Sequence, residues 1–309
     1  MPTLKTIAVS VGDLNGIGFE IILKAHPQIT QVCRPVYCIS RTMAERAAAL
    51  LGLSLPDDFE CHDVSGDFTI RPGMVDADSG RYSYQSFVTA VDLAKAGKAD
   101  AITTLPIHKE AWMIAGIGYK GHTDALRDFF KHDAIMMLGC ERLYVALFTE
   151  HIPLRDVASN IQVDKLVSFL MRFYQSTKAD SVAVLGLNPH AGDHGVLGNE
   201  EREIETAIDT ANANIGKTVY YGPVVPDIAF TPRFRDQCRY IVAMYHDQGL
   251  GPLKALYFDE SINVSLGLPI IRTSVDHGTA FDIAYQDKAS SSSYLNAINA
   301  ALGFTAYEG

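Results

Sequence analysis

The sequence predicts an α/β protein in which helices flank a mostly parallel sheet. Short apolar runs alternate with amphipathic segments along the whole chain, as in parallel strands joined by crossover helices. The run at 241–244 (IVAM) is apolar at every position, as expected for a strand that is buried on both faces. A histidine, an aspartate and two glycines follow it closely, at the carboxyl edge where such sheets carry their ligand sites.

Each element is placed by its own pattern. Strands are predicted for the short apolar runs, at 6–11, 35–39, 100–105, 134–139, 143–148, 157–161, 181–187 and 240–245. Helices are predicted for the amphipathic segments, at 16–25, 41–51, 83–97, 122–131, 163–176, 199–213 and 292–302. Their alternation is what favours the α/β class over separate all-helical and all-strand domains.

Length and composition bound the organisation of the chain. With 309 residues, 48% of them apolar and 20% charged, it has the composition of a soluble globular protein. The length fits two domains, or one large α/β domain with two lobes, at about 150 residues per domain. No clear linker separates two halves of the sequence, so any two lobes are expected to be interwoven.

Charge and cysteine content exclude some classes of function. The net charge of −10, from 26 basic and 36 acidic residues, argues against a nucleic-acid surface and would repel an anionic substrate unless basic residues or a metal gather at the site. No stretch reaches the roughly 18 apolar residues of a membrane span, and the N-terminus has the pattern of a strand, not of a signal peptide. Five scattered cysteines are typical of free thiols in a reducing cytoplasm, where we expect the protein to be located.

Three histidines each follow a predicted strand, namely His151, His190 and His246. If these strands are neighbours in a parallel sheet, their ends lie within about 5–10 Å of each other, given the ~4.8 Å spacing of strands. Three imidazoles that converge there would form a divalent-metal site with open positions for a substrate. One histidine at the end of a strand is more often without such a role, but three of them, with Asp227 and Asp247 nearby, favour the metal site.

Potential anion-binding residues follow the segment MYHDQGL. Lys254, Asn263 and Arg272 come 8, 17 and 26 residues after His246. Lysine, asparagine and arginine are the donors that a phosphorylated substrate with a carboxylate requires. A satisfied histidine in a loop fits this segment about as well when it is considered alone.

Two further segments could bind anions at helix starts. The glycines of GDLNGIGFE lie where a strand turns into a helix, but their spacing matches neither nucleotide-binding loop, and a plain turn fits as well. His122 and Thr123 lie at another helix start, where they could bind a phosphate or carboxylate. Helix capping alone would explain Thr123 but would leave His122 without a role.

The segment SVDHGTAFDIA is a candidate for cofactor binding. The small residues after His277, which are Gly278, Thr279 and Ala280, could wrap closely around an adenine and its ribose. Asp282 would be available to a ribose hydroxyl. On pattern alone, a turn leading into a helix is the safer interpretation.

Taken together, these segments resemble the 4-hydroxythreonine-4-phosphate dehydrogenase family of vitamin B6 biosynthesis. The matching runs keep one order from residue 12 to residue 284 and include GDLNGIG, PIHKEAW, GHTDALR, TEHIPLRD, LNPHAGDHGVLGNEE, GPVVPDIAF, MYHDQGLGPLK and INVSLGLPIIRTSVDHGTAFDIA. The combination of NPHAG, MYHDQGL and TSVDHGTAFDIA is highly specific. The last element also resembles the adenosine-binding loop of isocitrate and isopropylmalate dehydrogenases, whose fold this family shares.

The resemblance implies two interwoven lobes with the active site in the cleft. The first lobe, with the cofactor loop, would comprise roughly 1–125 and 266–309, and the second, with the metal and dimer contacts, 126–265. The family is homodimeric, with a site built between subunits, so a homodimer with shared active sites is implied.

The resemblance also implies roles for individual residues. A divalent metal (zinc, cobalt or magnesium) would be held by His151, His190 and His246. The phosphorylated hydroxy-amino acid would be bound by His122, Thr123, Lys254, Asn263 and Arg272. NAD or NADP would be bound by His277, Gly278, Thr279, Ala280 and Asp282, and Lys254 and Asp227 are the candidates for proton transfer.

The implied activity is the metal-dependent, NAD(P)-linked oxidation of 4-phosphohydroxy-L-threonine, followed by loss of carbon dioxide. Two alternatives stay open: a related dehydrogenase for a 4-phosphorylated threonate or erythronate, and a non-catalytic protein that binds a metal and a phosphometabolite. The chain departs from the family soon after DIA. Glycines are expected there, but this chain has residues 285–287 (YQD) instead. That departure leaves the choice between NAD and NADP open.

Overall fold

The computed structural model describes residues 4–307. Its strands are Thr6–Ser10 (β1), Arg34–Cys38 (β2), Cys61–His62 (β3), Ala101–Thr104 (β4), Ile135–Cys140 (β5), Leu143–Leu147 (β6), Val182–Leu185 (β7), Tyr220–Val224 (β8), Tyr240–Ala243 (β9), Ile262–Leu266 (β10) and Arg272–Val275 (β11). Its α-helices are Gly18–Ile29 (α1), Arg41–Leu50 (α2), Ala77–Lys95 (α3), Lys109–Ile114 (α4), His122–Phe130 (α5), Val157–Asn160 (α6), Val163–Thr177 (α7), Glu201–Ile215 (α8), Pro226–Ala229 (α9), Pro232–Arg235 (α10), His246–Tyr257 (α11) and Ser292–Gly303 (α12). Short 3-10 helices occur at Leu154–Asp156, Pro189–Gly195 and Phe281–Ile283.

The chain forms two compact units. The first unit contains the residues up to Ala134 together with Leu268–Phe304, and the second contains Ile135–Gly267 and the residues from Thr305 onward. The amide of Thr305 donates to the carbonyl of Ser176 at 3.0 Å, which fastens the C-terminal residues to the second unit. The lobe boundaries implied by the sequence stay a prediction.

The strands of the first unit are all parallel and run in the order β3-β2-β1-β4-β11. The central strands β1 and β4 are almost wholly buried, which accounts for their uninterrupted apolar and small residues. Helix α3 packs against β1, and α12 packs against β11 and β4. Helix α3 starts at Ala77, before the predicted start at 83, because the side chain of Asp76 accepts a hydrogen bond from the amide of Asp78 and caps the helix.

The strands of the second unit run in the order β10-β5-β6-β9-β7-β8. The pairs β10–β5 and β5–β6 are antiparallel, and the remaining pairs are parallel. Leu143, Val145, Ile241 and Leu253 are fully buried in its core, and burial of each such side chain stabilises the fold by about 1.5–3 kcal/mol. The predicted class, an α/β fold with a mostly parallel sheet flanked by helices, is confirmed.

The predicted strand at 157–161 is wrong, because Val157–Asn160 forms a short helix after the 3-10 turn Leu154–Asp156. The side chains of Ser159 and Asn160 both donate to the carbonyl of Asp156, at 2.9 and 2.8 Å. Such local bonds from polar side chains to the backbone compete with strand pairing. The apolar residues of VASNI are therefore part of this short helix and its C-cap and not of the sheet.

Two further observations concern the chain as a whole. None of the helices between residues 4 and 307 combines the length and the apolar character that a transmembrane helix requires. The five cysteines are free thiols, and all but Cys61 are buried. Burial raises the pKa of Cys33 to about 11, which makes this thiol a poor nucleophile.

Candidate active site

The parallel pairing of β6 with β9 brings two of the predicted metal ligands together. The hydrogen bonding continues past the strand ends, where the amide and the hydroxyl of Thr149 both donate to the carbonyl of Met244, at 3.2 and 2.6 Å. The two loops that follow are thereby held side by side. As a result, the ring centroids of His151 and His246 lie 5.4 Å apart.

The surroundings of His246 suit a metal ligand. Its Nδ1 lies 2.7 Å from Oδ1 of Asp247. Because a carboxylate only accepts hydrogen bonds, this contact places the ring proton on Nδ1 and leaves Nε2 free to coordinate an ion. The side chains of His151 and His246 are 69% and 38% exposed, so an ion can reach both from solvent. The two imidazoles are therefore accessible donors of the kind that a divalent metal binds.

Gln248 is a positioning residue that the sequence analysis did not single out. Its side chain is buried, with Oε1 accepting from the amide of Met244 and Nε2 donating to the carbonyl of Gly186, each at 2.7 Å. A side-chain amide can satisfy a donor and an acceptor at once, so Gln248 joins the ends of β9 and β7 and fixes the first turn of α11. The sequence feature that could have indicated this role is a glutamine two residues after the histidine at the end of a buried strand.

His190 is placed differently from the other two histidines. The three strands that precede these histidines are neighbours, in the order β6-β9-β7, as the metal hypothesis required. His190 itself lies in Pro189–Gly195 with a left-handed backbone, at φ 54°. Within residues 4–307 no three histidine, cysteine, aspartate or glutamate side chains are close enough together to hold a metal ion. The participation of His190 stays a prediction.

The loop that carries His190 is anchored by a buried glutamate. Oε1 of Glu201 accepts hydrogen bonds from the amides of Leu187 and Asn188, at 3.0 and 2.8 Å. His190 also lines a cavity of about 440 Å³, together with Asp193, His194, Asn199, Arg202 and Glu205. The loop is thus fixed at its base, while His190 itself is exposed.

The other predicted site residues of the second unit lie on three separate elements. Asp227 is exposed in the first turn of α9. Lys254 lies on α11, about 12 Å along the helix axis from His246 at 1.5 Å per residue, with Nζ 5.2 Å from the ring centroid of Phe258. Asn263 lies on β10, and its Oδ1 is buried without a hydrogen-bond partner among the described residues. Such an orphaned acceptor is what a ligand donor would satisfy.

In the first unit, Arg272 and His122 form a buried cationic site. The guanidinium of Arg272 donates from Nε and Nη2 to the hydroxyl of Thr104, at 3.1 and 2.8 Å, and from Nη2 to Nδ1 of His122 at 3.2 Å. Burial lowers the pKa of Arg272 to about 9, so the side chain keeps its charge at pH 7. A desolvated guanidinium of this kind attracts an anion more strongly than an exposed one.

The contact with Arg272 fixes the tautomer of His122. A guanidinium can only donate, so Nδ1 of His122 is the acceptor and Nε2 carries the proton. Burial, and secondly the charge of Arg272, hold the pKa of His122 well below its usual value near 6.5, so the ring is neutral. Its Nε2 is buried without a partner among the described residues. His122 is also the first residue of α5, so its backbone amide lies at a helix N-terminus, next to that of Thr123.

The neutral state of His122 predicts a pH dependence of stability. Because its pKa is lower in the folded than in the unfolded protein, the unfolded state binds more protons below about pH 6.5, and stability is lost as the pH falls. We expect His122→Gln to flatten the decline of the unfolding free energy between pH 7.5 and 5, by at most about 1.4 kcal/mol per pH unit. Urea unfolding at several pH values measures this slope, with the exposed His62→Gln as matched control. Parallel pH profiles for His122→Gln and the wild type would show that His122 is not held neutral.

The predicted cofactor segment forms a turn that rests on the glycine-rich segment at 12–18. The carbonyl of Thr279 accepts a hydrogen bond from the amide of Ile17 at 3.0 Å. A Cβ at Gly16 would lie 2.7 Å from that same carbonyl, so only glycine permits this close approach. Packing against the turn therefore explains Gly16, whereas a Cβ at Gly12 or Gly18 would meet the backbone carbonyl of Pro106 or Val11.

The same turn has the features that a nucleotide needs. Nε2 of His277 is buried without a partner among the described residues, and no atom lies within 4 Å of a Cβ built at Gly278. Asp282 is exposed at the start of the 3-10 helix. The ring of Phe281 stacks on His108, with centroids 4.8 Å apart and planes inclined by 14°. An open glycine, an unpaired buried nitrogen and a free carboxylate fit an adenosine group.

Comparison with known proteins covers nearly the whole chain. Residues 31–301 match the family model described as pyridoxal phosphate biosynthetic protein PdxA. A 4-hydroxythreonine-4-phosphate dehydrogenase of Sulfurimonas denitrificans is 61% identical over 296 residues, which cover 96% of each chain. One from Campylobacter fetus is 51% identical over 306 residues, covering 99% of this chain and 100% of the relative. The crystal structure of a 4-hydroxythreonine-4-phosphate dehydrogenase from Burkholderia phymatum matches with a TM-score of 0.82 at 34% identity, covering 98% and 99% of the two chains.

The fold and the site residues define a class of α/β proteins with functional groups at the carboxyl ends of parallel strands. Within that class, the extent of the similarity decides the family. The chain belongs to the PdxA family of pyridoxal phosphate biosynthesis.

Proposed function

We propose that the protein oxidises 4-phosphohydroxy-L-threonine to 2-amino-3-oxo-4-phosphooxybutanoate, which loses carbon dioxide to give 3-amino-2-oxopropyl phosphate. The observation that carries this proposal is the buried pair of Arg272 with neutral His122, a site built for a small anion. The names of the relatives in Sulfurimonas denitrificans and Campylobacter fetus point to the same activity. The reaction would take place in the cytoplasm, in keeping with five free cysteines.

The phosphate group would be bound by the residues of the first unit. Arg272 supplies the charge, Nε2–H of His122 supplies a neutral donor, and Thr123 supplies a hydroxyl and a backbone amide at the start of α5. Two donors whose positions are already fixed cost little further ordering when the substrate binds. Asn263 belongs to the second unit, where its unsatisfied buried oxygen would accept a hydrogen bond from a ligand donor.

The chemical step would use residues of the second unit. When bound, a divalent metal on His151, His190 and His246 would supply Lewis-acid polarisation of the substrate oxygen, and NAD(P)⁺ would supply the hydride acceptor. Asp247 keeps His246 in the tautomer that can coordinate. The hydroxyl proton would pass to Asp227 or Lys254, and the same pair would return a proton to carbon after carbon dioxide has left.

The cofactor would lie on the turn around His277, Gly278, Thr279 and Ala280, with Asp282 at the ribose. A carboxylate at such a position hydrogen-bonds the 2′-hydroxyl of NAD and repels the 2′-phosphate of NADP. We therefore expect NAD to be the better cofactor.

The test follows the formation of NADH or NADPH by absorbance at 340 nm. The assay contains 4-phosphohydroxy-L-threonine, a divalent metal and either NAD⁺ or NADP⁺, and an EDTA-treated sample is the control. A rate that EDTA removes and added zinc, cobalt or magnesium restores is the expected result. A rate with 4-phosphothreonate or 4-phosphoerythronate alone would instead support the related dehydrogenase. Metal-dependent thermal stabilisation without NADH formation from any of them would support a binding protein and refute catalysis.

We also propose that the protein is a homodimer in which the second unit supplies the interface. The seven exposed large apolar residues in its described part all lie within seven positions of a predicted site residue: Ile152 and Leu154 after His151, Val196 and Leu197 after His190, Ile228 beside Asp227, and Leu256 and Phe258 after Lys254. Exposed apolar side chains beside site residues are what a partner subunit that shares the active site would cover.

The dimer can be tested with a charge at its proposed interface. Leu154 is 69% exposed, and Leu154→Asp is expected to shift the mass in multi-angle light scattering from twice the chain mass towards the 33.7 kDa of one chain. Leu53→Asp is the matched control, since Leu53 is 55% exposed in the first unit and should leave the mass unchanged. A wild-type protein that is monomeric at micromolar concentration would overturn the proposal.

A further inference from the structure

Two residues that follow the predicted cofactor segment at 277–282, here called the cofactor turn, have backbone conformations that favour glycine. Tyr285 and Asp287 have φ values of 58° and 61°, in the left-handed region that side chains disfavour. They lie in the stretch after DIA where the resemblance leads us to expect glycines. A side chain that persists at such a position must be held by other contacts, and strained residues of this kind cluster at functional sites.

The hydroxyl of Tyr285 makes one such contact. It donates to the carbonyl of Leu14 at 2.7 Å, in the segment GDLNGIG. The ring is largely buried, and burial raises the pKa of Tyr285 well above its usual value, so the hydroxyl keeps its proton and stays a donor. A glycine at this position could not form the bond.

Further contacts beyond Tyr285 fasten the same segment to α1. The carboxylate of Asp287 lies 2.8 Å from Nζ of Lys24, although this pair is largely exposed and contributes little by itself. The amide of Ala289 donates to the buried carboxylate of Glu20 at 2.8 Å. Together with the bond from Ile17 to the carbonyl of Thr279, these contacts hold both ends of the cofactor turn against α1 and the loop before it.

We propose that Tyr285 is a positioning residue for the cofactor, through its hydrogen bond to Leu14. This inference rests on the proposed function, because it assumes that residues 277–282 bind NAD. A turn that is fixed before binding loses less conformational entropy when the cofactor arrives, so the bond raises affinity without touching the nucleotide. Glycines at 285 and 287 would remove the backbone strain but would leave the turn more mobile. This chain instead has the strained conformations together with the hydrogen bond from Tyr285 to Leu14.

Tyr285→Phe removes the hydroxyl and keeps the ring. We expect the dissociation constant and the KM for NAD to rise about three- to tenfold, the range expected for one lost hydrogen bond, while kcat and the KM for the phosphorylated substrate stay unchanged. In the protein without cofactor, amide hydrogen exchange should become faster in the peptides covering 12–18 and 277–289. Tyr285→Gly should weaken NAD binding in the same direction, because it removes the bond together with the strain.

The matched control is Tyr220→Phe. The Tyr220 hydroxyl donates to the carbonyl of Leu170 at 2.5 Å, so this variant removes the same type of buried bond in the second unit. It should lower thermal stability without changing NAD affinity. Unchanged exchange and unchanged NAD affinity in Tyr285→Phe would overturn the proposal, and so would a fall in kcat at constant KM. If the wild type binds no NAD in calorimetry, the proposed function fails, and the exchange measurement still decides whether the hydroxyl orders the turn.

Discussion

Replacing Arg272 by methionine is expected to raise the KM for the phosphorylated substrate by roughly 30- to 3,000-fold. Removing one member of a buried, hydrogen-bonded charge pair costs about 2–5 kcal/mol, and each 1.4 kcal/mol corresponds to about a factor of ten in affinity. Arg272 is 4% exposed, so water would not replace the lost charge. Steady-state kinetics with 4-phosphohydroxy-L-threonine measure this effect.

The substrate without its phosphate distinguishes recognition from damage to the fold. 4-Hydroxy-L-threonine lacks the phosphate that Arg272 is proposed to bind, so its kcat/KM should change far less in Arg272→Met. The preference for the phosphorylated compound should therefore shrink. Equal losses for both compounds would mean that Arg272 does not contact the phosphate.

Two further variants complete this test. Arg272→Lys keeps the charge but loses the planar fork that bonds Thr104 and His122 together, so its KM should lie between those of the wild type and Arg272→Met. Arg34→Met is the control for loss of an arginine in the same unit, because the Arg34 pair with Glu60 is exposed and its removal should leave KM unchanged.

The sequence predicted the α/β class because apolar periodicity survives along most of the chain. It failed at 157–161, where the serine and asparagine of VASNI bond to the backbone locally. Strands β10 and β11 were not recognised because each mixes apolar with polar residues, such as Asn263 and Ser265 in β10 and Arg272 in β11. Polar residues on a buried strand weaken the apolar pattern, and two of these, Asn263 and Arg272, are also candidate site residues.

The site residues were predictable only as types and positions along the chain. That His151 and His246 follow strands is visible in sequence, but their closeness depends on the pairing of β6 with β9. The bond between His122 and Arg272 joins residues 150 positions apart, and nothing local encodes it. Gln248 and Tyr285 were not proposed as site residues because their roles depend on backbone groups that become neighbours only after folding.

Replacing His246 by alanine should abolish metal-dependent turnover, with a loss of at least about a thousandfold in kcat, because polarisation of the substrate and orientation of its hydroxyl are lost together. The structure brings His246 and His151 together, so the loss of either histidine should weaken zinc binding. Zinc content after dialysis, measured by mass spectrometry, reports binding independently of turnover. His62→Ala serves as control, since His62 is exposed and lies in the first unit.

Asp247 provides a finer comparison within the same site. Asp247→Asn keeps the shape of the side chain but can turn a donor towards Nδ1 of His246, which lies 2.7 Å away from the carboxylate. The amide oxygen of asparagine can still accept from Nδ1 but carries no charge, so the tautomer with its proton on Nδ1 is less favoured, and metal affinity should fall by up to about 10- to 100-fold, the usual effect of losing such an outer contact. A His246→Ala enzyme with near-normal rate and zinc content would refute the metal assignment. Loss of zinc from His246→Ala but not from Asp247→Asn would keep His246 as a ligand and remove Asp247 from the site.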